Sequence, residues 1–180
     1  MPPAVSNYKT IRWVLTWLAI AVVVVTLTFT LRSISNTSVD TGLADIKYNE
    51  LTSESIKGRV EFSRSLFQIG LLITAALWAL VIAKPDEIGI VFADRQEVLM
   101  FLCASLLLIG SLVDHSLYLN YVSRVFLAGG RLYDKDSPSI PDVFDANINN
   151  FYQYQIIHLA LGAFIAVVTL FSAHNLKEKP

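Results

Sequence analysis

Four long stretches with almost no charged side chains separate the polar segments of this chain. They run from Trp13 to Leu31, from Ser65 to Ala83, from Val98 to Ser123 and from Ala146 to Leu176. Asp114 is the only Asp, Glu, Lys or Arg within them. About 20 apolar residues in a helix cross the roughly 30 Å hydrocarbon core of a bilayer. The pattern therefore predicts transmembrane spans at about 13–31, 65–83, 98–119 and 152–173.

Turn and capping residues predict where helices two and three begin and end. Helix two is expected to start in water between Leu43 and Leu51 and to stop at Lys84-Pro85, because proline cannot continue a helix. Asp94, with Glu97 three residues later, has the spacing of an N-cap and its reciprocal partner. Helix three should therefore begin at this pair.

The glycine pair Gly129-Gly130 predicts that helix three ends near Ala128, since glycine is the common residue after a helix C-terminus. Helix four is expected to start as early as Pro141 and to end near His174. Helices two, three and four would then extend beyond the membrane on one side. The predicted fold is all-α, a four-transmembrane-helix bundle, with residues 1–180 as one integral membrane domain.

Composition narrows the possible partners. Hydrophobic residues make up 54% of the chain and charged residues 16%, against about 25% charged in a soluble domain. The formal net charge of −1 argues against binding nucleic acid, which needs a basic surface. The lipid bilayer is the first expected partner. The first apolar run is longer than the apolar region of a signal peptide, which favours a retained span.

The distribution of Lys and Arg predicts the orientation. Six of these residues lie on the side that holds both termini and eight on the side of the long loops, but the six lie in shorter segments, which count more. We expect both termini in the cytoplasm, and a plasma membrane or bacterial inner membrane as the location.

Asp114, His115 and His158 are the main candidates for chemistry. Because helices three and four run antiparallel, the late part of span three and the early part of span four should lie at similar depth. Ionisable side chains within a span are costly and usually face the bundle interior, so they are candidate functional residues. Helical spacing adds Ser111 and Tyr118 to this group on helix three and Gln155 on helix four.

Three interpretations of this polar cluster compete. The first and preferred one is an interhelical hydrogen-bond network that holds helices three and four together. The second is a site that responds to protons or ions, since histidine titrates near pH 6.5. The third is haem b bound through His115 and His158, with Gly110 and Gly162 leaving room for the macrocycle. Apart from this alternative, no cofactor and no metal site is expected.

Small residues recur at helical spacing on two helices and predict close helix packing. Packing within the bundle is preferred to a contact between protomers. The residues are Ala75, Ala79 and Ala83 on helix two, and Gly162 and Ala166 on helix four.

The sequence contains no nucleotide-binding, metalloprotease, CxxC or GxSxG motif, and nothing in it places a serine beside a histidine as nucleophile and base. We therefore expect a protein without catalytic activity. The leading hypothesis is a subunit of a membrane complex, formed from copies of itself or with other membrane proteins. The alternatives are an oligomeric ion or proton channel or transport unit, and a redox anchor that binds haem b.

Overall fold

A computed structural model describes residues 4–36, 50–83, 92, 94–131 and 146–175. The described segments form four helices: α1 (Ala4–Asn36), α2 (Glu50–Ile82), α3 (Arg95–Arg131) and α4 (Ala146–Asn175). Each contains a stretch long and apolar enough to cross a membrane, at Thr10–Ser35, Ile56–Ile82, Arg95–Ser123 and Asn149–Ser172. The all-α class and the four membrane-length apolar helices predicted from the hydropathy pattern are confirmed.

One predicted helix end is wrong. Helix α3 does not stop at Gly129-Gly130 but continues to Arg131. A glycine that ends a helix usually adopts the left-handed backbone conformation, and no described glycine has a positive φ. The expected starts of helix two at residues 43–49 and of helix four at 141–145 lie outside the described residues, as does Lys84-Pro85.

The antiparallel pair α3–α4 is the centre of the bundle. Helices α1 and α2 each pack against both α3 and α4, and the backbones of the described parts of α1 and α2 do not approach each other closely. They therefore lie on opposite sides of the central pair. The core between the helices is closed by side chains, and Ala104, Leu107 and Leu108 of α3 are completely buried.

Gly162 allows α3 and α4 to approach closely. A Cβ atom at this position would lie 3.0 Å from Leu108 Cγ and 3.1 Å from the Leu108 backbone nitrogen. A backbone atom cannot move aside without displacing α3. The close approach of the two helices therefore depends on the absence of a side chain at position 162.

The substitution Gly162→Ala is expected to lower the free energy of unfolding by about 1–3 kcal/mol, the usual cost of overpacking a core. Gly58→Ala is the matched control, because a Cβ atom there would meet nothing within 4 Å. In an exposed helix the same change should add up to about 1 kcal/mol. Thermal unfolding in mild detergent measures both, and equal shifts of the two variants would contradict the expected role of Gly162.

An ion cluster joins α1 to the start of α3. The Arg12 guanidinium donates to Glu97 Oε1 at 2.8 Å and to Asp94 Oδ1 at 3.1 Å. Asp94 Oδ1 also accepts from the backbone N–H groups of Gln96 and Glu97, so Asp94 caps α3 as predicted. Since Arg12 lies early in α1, this contact places the start of α1 beside the start of α3.

Candidate functional site

Asp114 and His158 form a buried acid–base pair between α3 and α4. Asp114 Oδ2 lies 2.5 Å from His158 Nδ1, and both side chains are completely buried. Gly110, one turn before Asp114, makes room for the imidazole, because a Cβ atom at this position would lie 3.3 Å from His158 Nδ1. The structure thus brings together two of the three ionisable residues singled out from the sequence.

His115 belongs to a second polar group, which we call the Ser63 cluster: Ser63, His115 and Gln155. Its members come from α2, α3 and α4, so it ties three helices together. Ser63 Oγ lies 2.8 Å from His115 Nδ1 and 2.5 Å from Gln155 Oε1, and Gln155 Nε2 donates to the Ser63 carbonyl oxygen at 2.8 Å. The ring of Phe67 stacks on His115 with 4.6 Å between centroids.

The donors and acceptors of the Ser63 cluster can be assigned from the backbone. A carbonyl oxygen can only accept, so the Gln155 amide must present its NH₂ group to the Ser63 carbonyl and its oxygen to the Ser63 hydroxyl. The hydroxyl hydrogen is then used on Gln155 Oε1. Consequently His115 Nδ1 must carry a hydrogen and donate it to Ser63 Oγ.

The direction of these hydrogen bonds distinguishes the Ser63–His115 pair from a catalytic serine–histidine pair. In a catalytic serine–histidine pair the imidazole accepts the hydroxyl proton. In the Ser63 cluster the direction is reversed, and the serine proton is held by an amide oxygen. The proximity of Ser63 to His115 could not be read from the sequence, since the two lie on different helices. The arrangement is suited to fixing helix positions.

The other predicted members of the polar group lie on the same faces. The Ser111 hydroxyl donates to the Gln155 carbonyl oxygen at 2.9 Å, a further link between α3 and α4. Tyr118 is buried one turn beyond His115, where it packs against Tyr152 with 5.6 Å between ring centroids. It belongs to an apolar cluster that also contains Ile56, Tyr121, Val122 and Phe151.

The space expected for a haem is occupied by side chains. The His158 ring packs against Gly110, and Leu107 and Leu108 pack against Gly162. His115 is engaged through Nδ1 with Ser63 and through its ring face with Phe67. A macrocycle between these helices does not fit this packing, so haem binding stays a prediction that the described residues do not support.

The small residues fall into two classes. On α4, Gly162 is buried against Leu107 and Leu108 of α3, and Ala166 is buried in the same core cluster. On α2, Ala75 and Ala79 are exposed and Ala83 is half-buried. The preferred interpretation, packing within the bundle, therefore does not account for the exposed alanines, and a contact between protomers is the alternative that their exposure allows.

The Asp114–His158 pair leaves two buried polar atoms without a protein partner. Asp114 Oδ1 and His158 Nε2 make no hydrogen bond to any described residue. Burying an unsatisfied polar group costs about 1–3 kcal/mol, and more when it is charged. The pair therefore differs from the Ser63 cluster, where the Ser63 hydroxyl, His115 Nδ1 and both polar atoms of the Gln155 amide each have a protein partner.

Among the described residues no group of three His, Cys, Asp or Glu side chains is placed to hold a metal ion. Searches with this chain among protein-family models, curated proteins and solved structures found no match.

Proposed function

We propose that this chain is a non-catalytic subunit of a membrane assembly, and that it meets a second copy of itself through the outward face of α2. The observation that carries the proposal is the polar and small-residue composition of that face. We call it the α2 outer face and define it by Gln68, Leu72, Ala75 and Ala79.

Little of the surface of α2 is buried against the other helices. Only 11% of the residues in its most apolar stretch are buried, against 56% in α3. The bundle side of α2 is marked by the buried residues Ser63, Gly70 and Leu77, at intervals of seven. The four residues of the α2 outer face are all exposed and lie on the opposite side of the helix.

Gln68 makes this face unlike a surface suited only to lipid. Its amide lies within the charge-free stretch that begins at Ser65 and is exposed. Polar side chains in a span favour hydrogen bonds across helices, and small residues let the backbones approach. A glutamine amide both donates and accepts, so it can pair with the same residue of an identical, parallel helix around a twofold axis.

The proposal also concerns the placement of the chain in the membrane. Helix α2 begins at Glu50 and carries Glu54, Lys57 and Arg59 before its charge-free stretch. These charges favour an extension of α2 into water on the side of the long loops. Both termini would then lie on the other side, in the cytoplasm by the distribution of Lys and Arg.

Native mass spectrometry from mild detergent, with the full chain, tests the proposal. Wild type is expected as a dimer or higher oligomer. Gln68→Leu removes the amide and Ala79→Leu blocks close approach, so each should shift the population toward monomer. Ala160→Leu is the matched control, because Ala160 is exposed on α4, away from this face.

A wild-type chain that is strictly monomeric and carries no other protein would refute the role as a subunit. An oligomer that Gln68→Leu and Ala79→Leu leave intact would keep the subunit role and refute the α2 outer face as the contact. Conduction through the interior of one chain has no supporting observation, since Leu107, Leu108 and Phe151 are completely buried there. A channel would need a path between copies.

A further inference from the structure

We propose that Asp114 and His158 form a proton-binding site inside the membrane, completed by one water molecule held between Asp114 Oδ1, His158 Nε2 and the Thr30 hydroxyl. This proposal is independent of the α2 outer face. The ligand is one exchangeable proton, and it binds to a pair whose polar atoms are not all hydrogen-bonded within the protein.

The first step concerns charge. With an ionised carboxyl and a neutral imidazole the pair carries one negative charge, and one added proton makes it neutral. A single uncompensated charge is costly in a medium of low dielectric constant. The proton adds to the pair as a whole, on the Asp114 carboxyl or as the second N–H of His158, and no covalent bond between heavy atoms changes.

The surroundings offer no buried permanent cation that could take the place of this proton. Asp114 is the only Asp, Glu, Lys or Arg within the four charge-free stretches, and the nearest charged residue on α1 is Arg32, two residues beyond Thr30 and exposed. On α4 the neighbouring titratable group is Tyr154. On α3 the neighbouring titratable groups are His115 and Tyr118. On α2 the nearest charged residue to the Ser63 cluster is Arg64, which is exposed. The compensating charge is therefore best supplied by the proton itself.

The second step concerns hydrogen bonds. In the neutral pair His158 Nε2 carries a hydrogen and needs an acceptor, whereas Asp114 Oδ1 needs a donor, and neither has a protein partner. One water molecule can accept the first and donate to the second. Buried waters typically make about three hydrogen bonds, so a third protein group is expected beside them.

Thr30 on α1 supplies this third group. Its side chain is buried, and its hydroxyl has no partner among the described residues. Three other threonines of α1 donate to the carbonyl one turn earlier: Thr16 to Arg12, Thr26 to Val22 and Thr28 to Val24. The Thr30 hydroxyl makes no such hydrogen bond, so it remains available to a water molecule.

The packing of α1 on α4 places Thr30 near the level of His158. The Ser33 hydroxyl lies 3.5 Å from the Tyr154 hydroxyl, and this contact sets the register of the two antiparallel helices. Thr30 lies three residues from Ser33, and His158 four residues from Tyr154, on the same faces and in the same direction along the bundle. The displacements are about 4.5 Å and about 6 Å, so the two residues lie at similar levels along the bundle axis.

The Ser63 cluster does not supply the proton. Its chain of hydrogen bonds runs from His115 through Ser63 to the oxygen of the Gln155 amide, and an amide does not readily pass a proton on. The binding site is thus confined to Asp114, His158 and Thr30, and variants of the Ser63 cluster and of the pair should behave differently.

Infrared difference spectra of the full chain in lipid nanodiscs, recorded between about pH 4 and 10, test the proposal. We expect a protonation signal, from a buried carboxyl or from an imidazole ring, that is lost in Asp114→Asn. Glu54→Gln, which removes an exposed carboxyl, should leave this signal unchanged. Thr30→Val should shift the midpoint of the signal without abolishing it.

Nitrogen NMR of wild-type protein labelled at histidine provides a second measurement that does not depend on the folding of a variant. His158 is expected to change its protonation or its hydrogen bonding over the same pH range as the infrared signal. If neither the His158 nitrogens nor a buried carboxyl responds between about pH 4 and 10, the pair binds no exchangeable proton and the proposal is wrong. An infrared signal that persists in Asp114→Asn would also overturn it.

Discussion

Replacing Arg12 by alanine is expected to lower the free energy of unfolding by about 3–5 kcal/mol, the usual cost of removing one partner of a buried ion pair. Glu97 is completely buried, and its carboxylate accepts from the Arg12 guanidinium at 2.8 Å. Without Arg12 this buried carboxylate would lose its guanidinium partner. Asp94 matters less, because 42% of its side chain is exposed and water can solvate it.

The measurement is thermal or denaturant-induced unfolding in mild detergent. Arg95→Ala is the matched control, because Arg95 is exposed at the start of α3. The double variant Arg12→Met with Glu97→Leu should recover most of the loss, since replacing both members of a buried pair by apolar residues is often neutral. A loss below about 1 kcal/mol for Arg12→Ala, as in exposed ion pairs, would show that α1 is held mainly by apolar packing.

The relative level of two side chains along the bundle could be predicted from the sequence, because it depends only on counting residues in apolar helices. Asp114 and His158 meet because one lies late in span three and the other early in span four. The N-cap at Asp94 follows from local spacing in the same way. These predictions needed no knowledge of how each helix is rotated.

Rotation about the helix axis could not be predicted, and it accounts for what the sequence analysis missed. A helix that is apolar on all sides gives no signal of which face meets its neighbours. The α2 alanines were therefore assigned to the interior, although Ala75 and Ala79 face outward. Ser63 was missed because it precedes the predicted span and its partners lie on other helices. The burial of Glu97 could have been predicted from helical spacing, because Glu97 lies on the same face of α3 as Ala104, Leu108 and Ser111, which are all buried.

The second large effect is expected for His158→Ala, which should lower the free energy of unfolding by about 3–5 kcal/mol. Asp114 is completely buried, and Oδ1 has no protein partner. Removing the imidazole takes away the hydrogen bond to Oδ2, so neither carboxyl oxygen would then be satisfied by a described residue. The vacated volume adds to the cost, because deleting a buried side chain leaves a cavity.

Ser63→Ala separates this expectation from the general cost of losing a polar contact between membrane helices. Such contacts are worth about 0.6 kcal/mol on average and about 1.7 kcal/mol at most, and Ser63 is likewise completely buried. If His158→Ala costs no more than Ser63→Ala, the pair acts as an ordinary neutral hydrogen bond. If it costs several times more, and Asp114→Leu combined with His158→Leu recovers part of the loss, the penalty belongs to a carboxyl left without its partner. That second outcome is the one expected from a pair that holds one proton between a carboxyl and an imidazole inside the membrane.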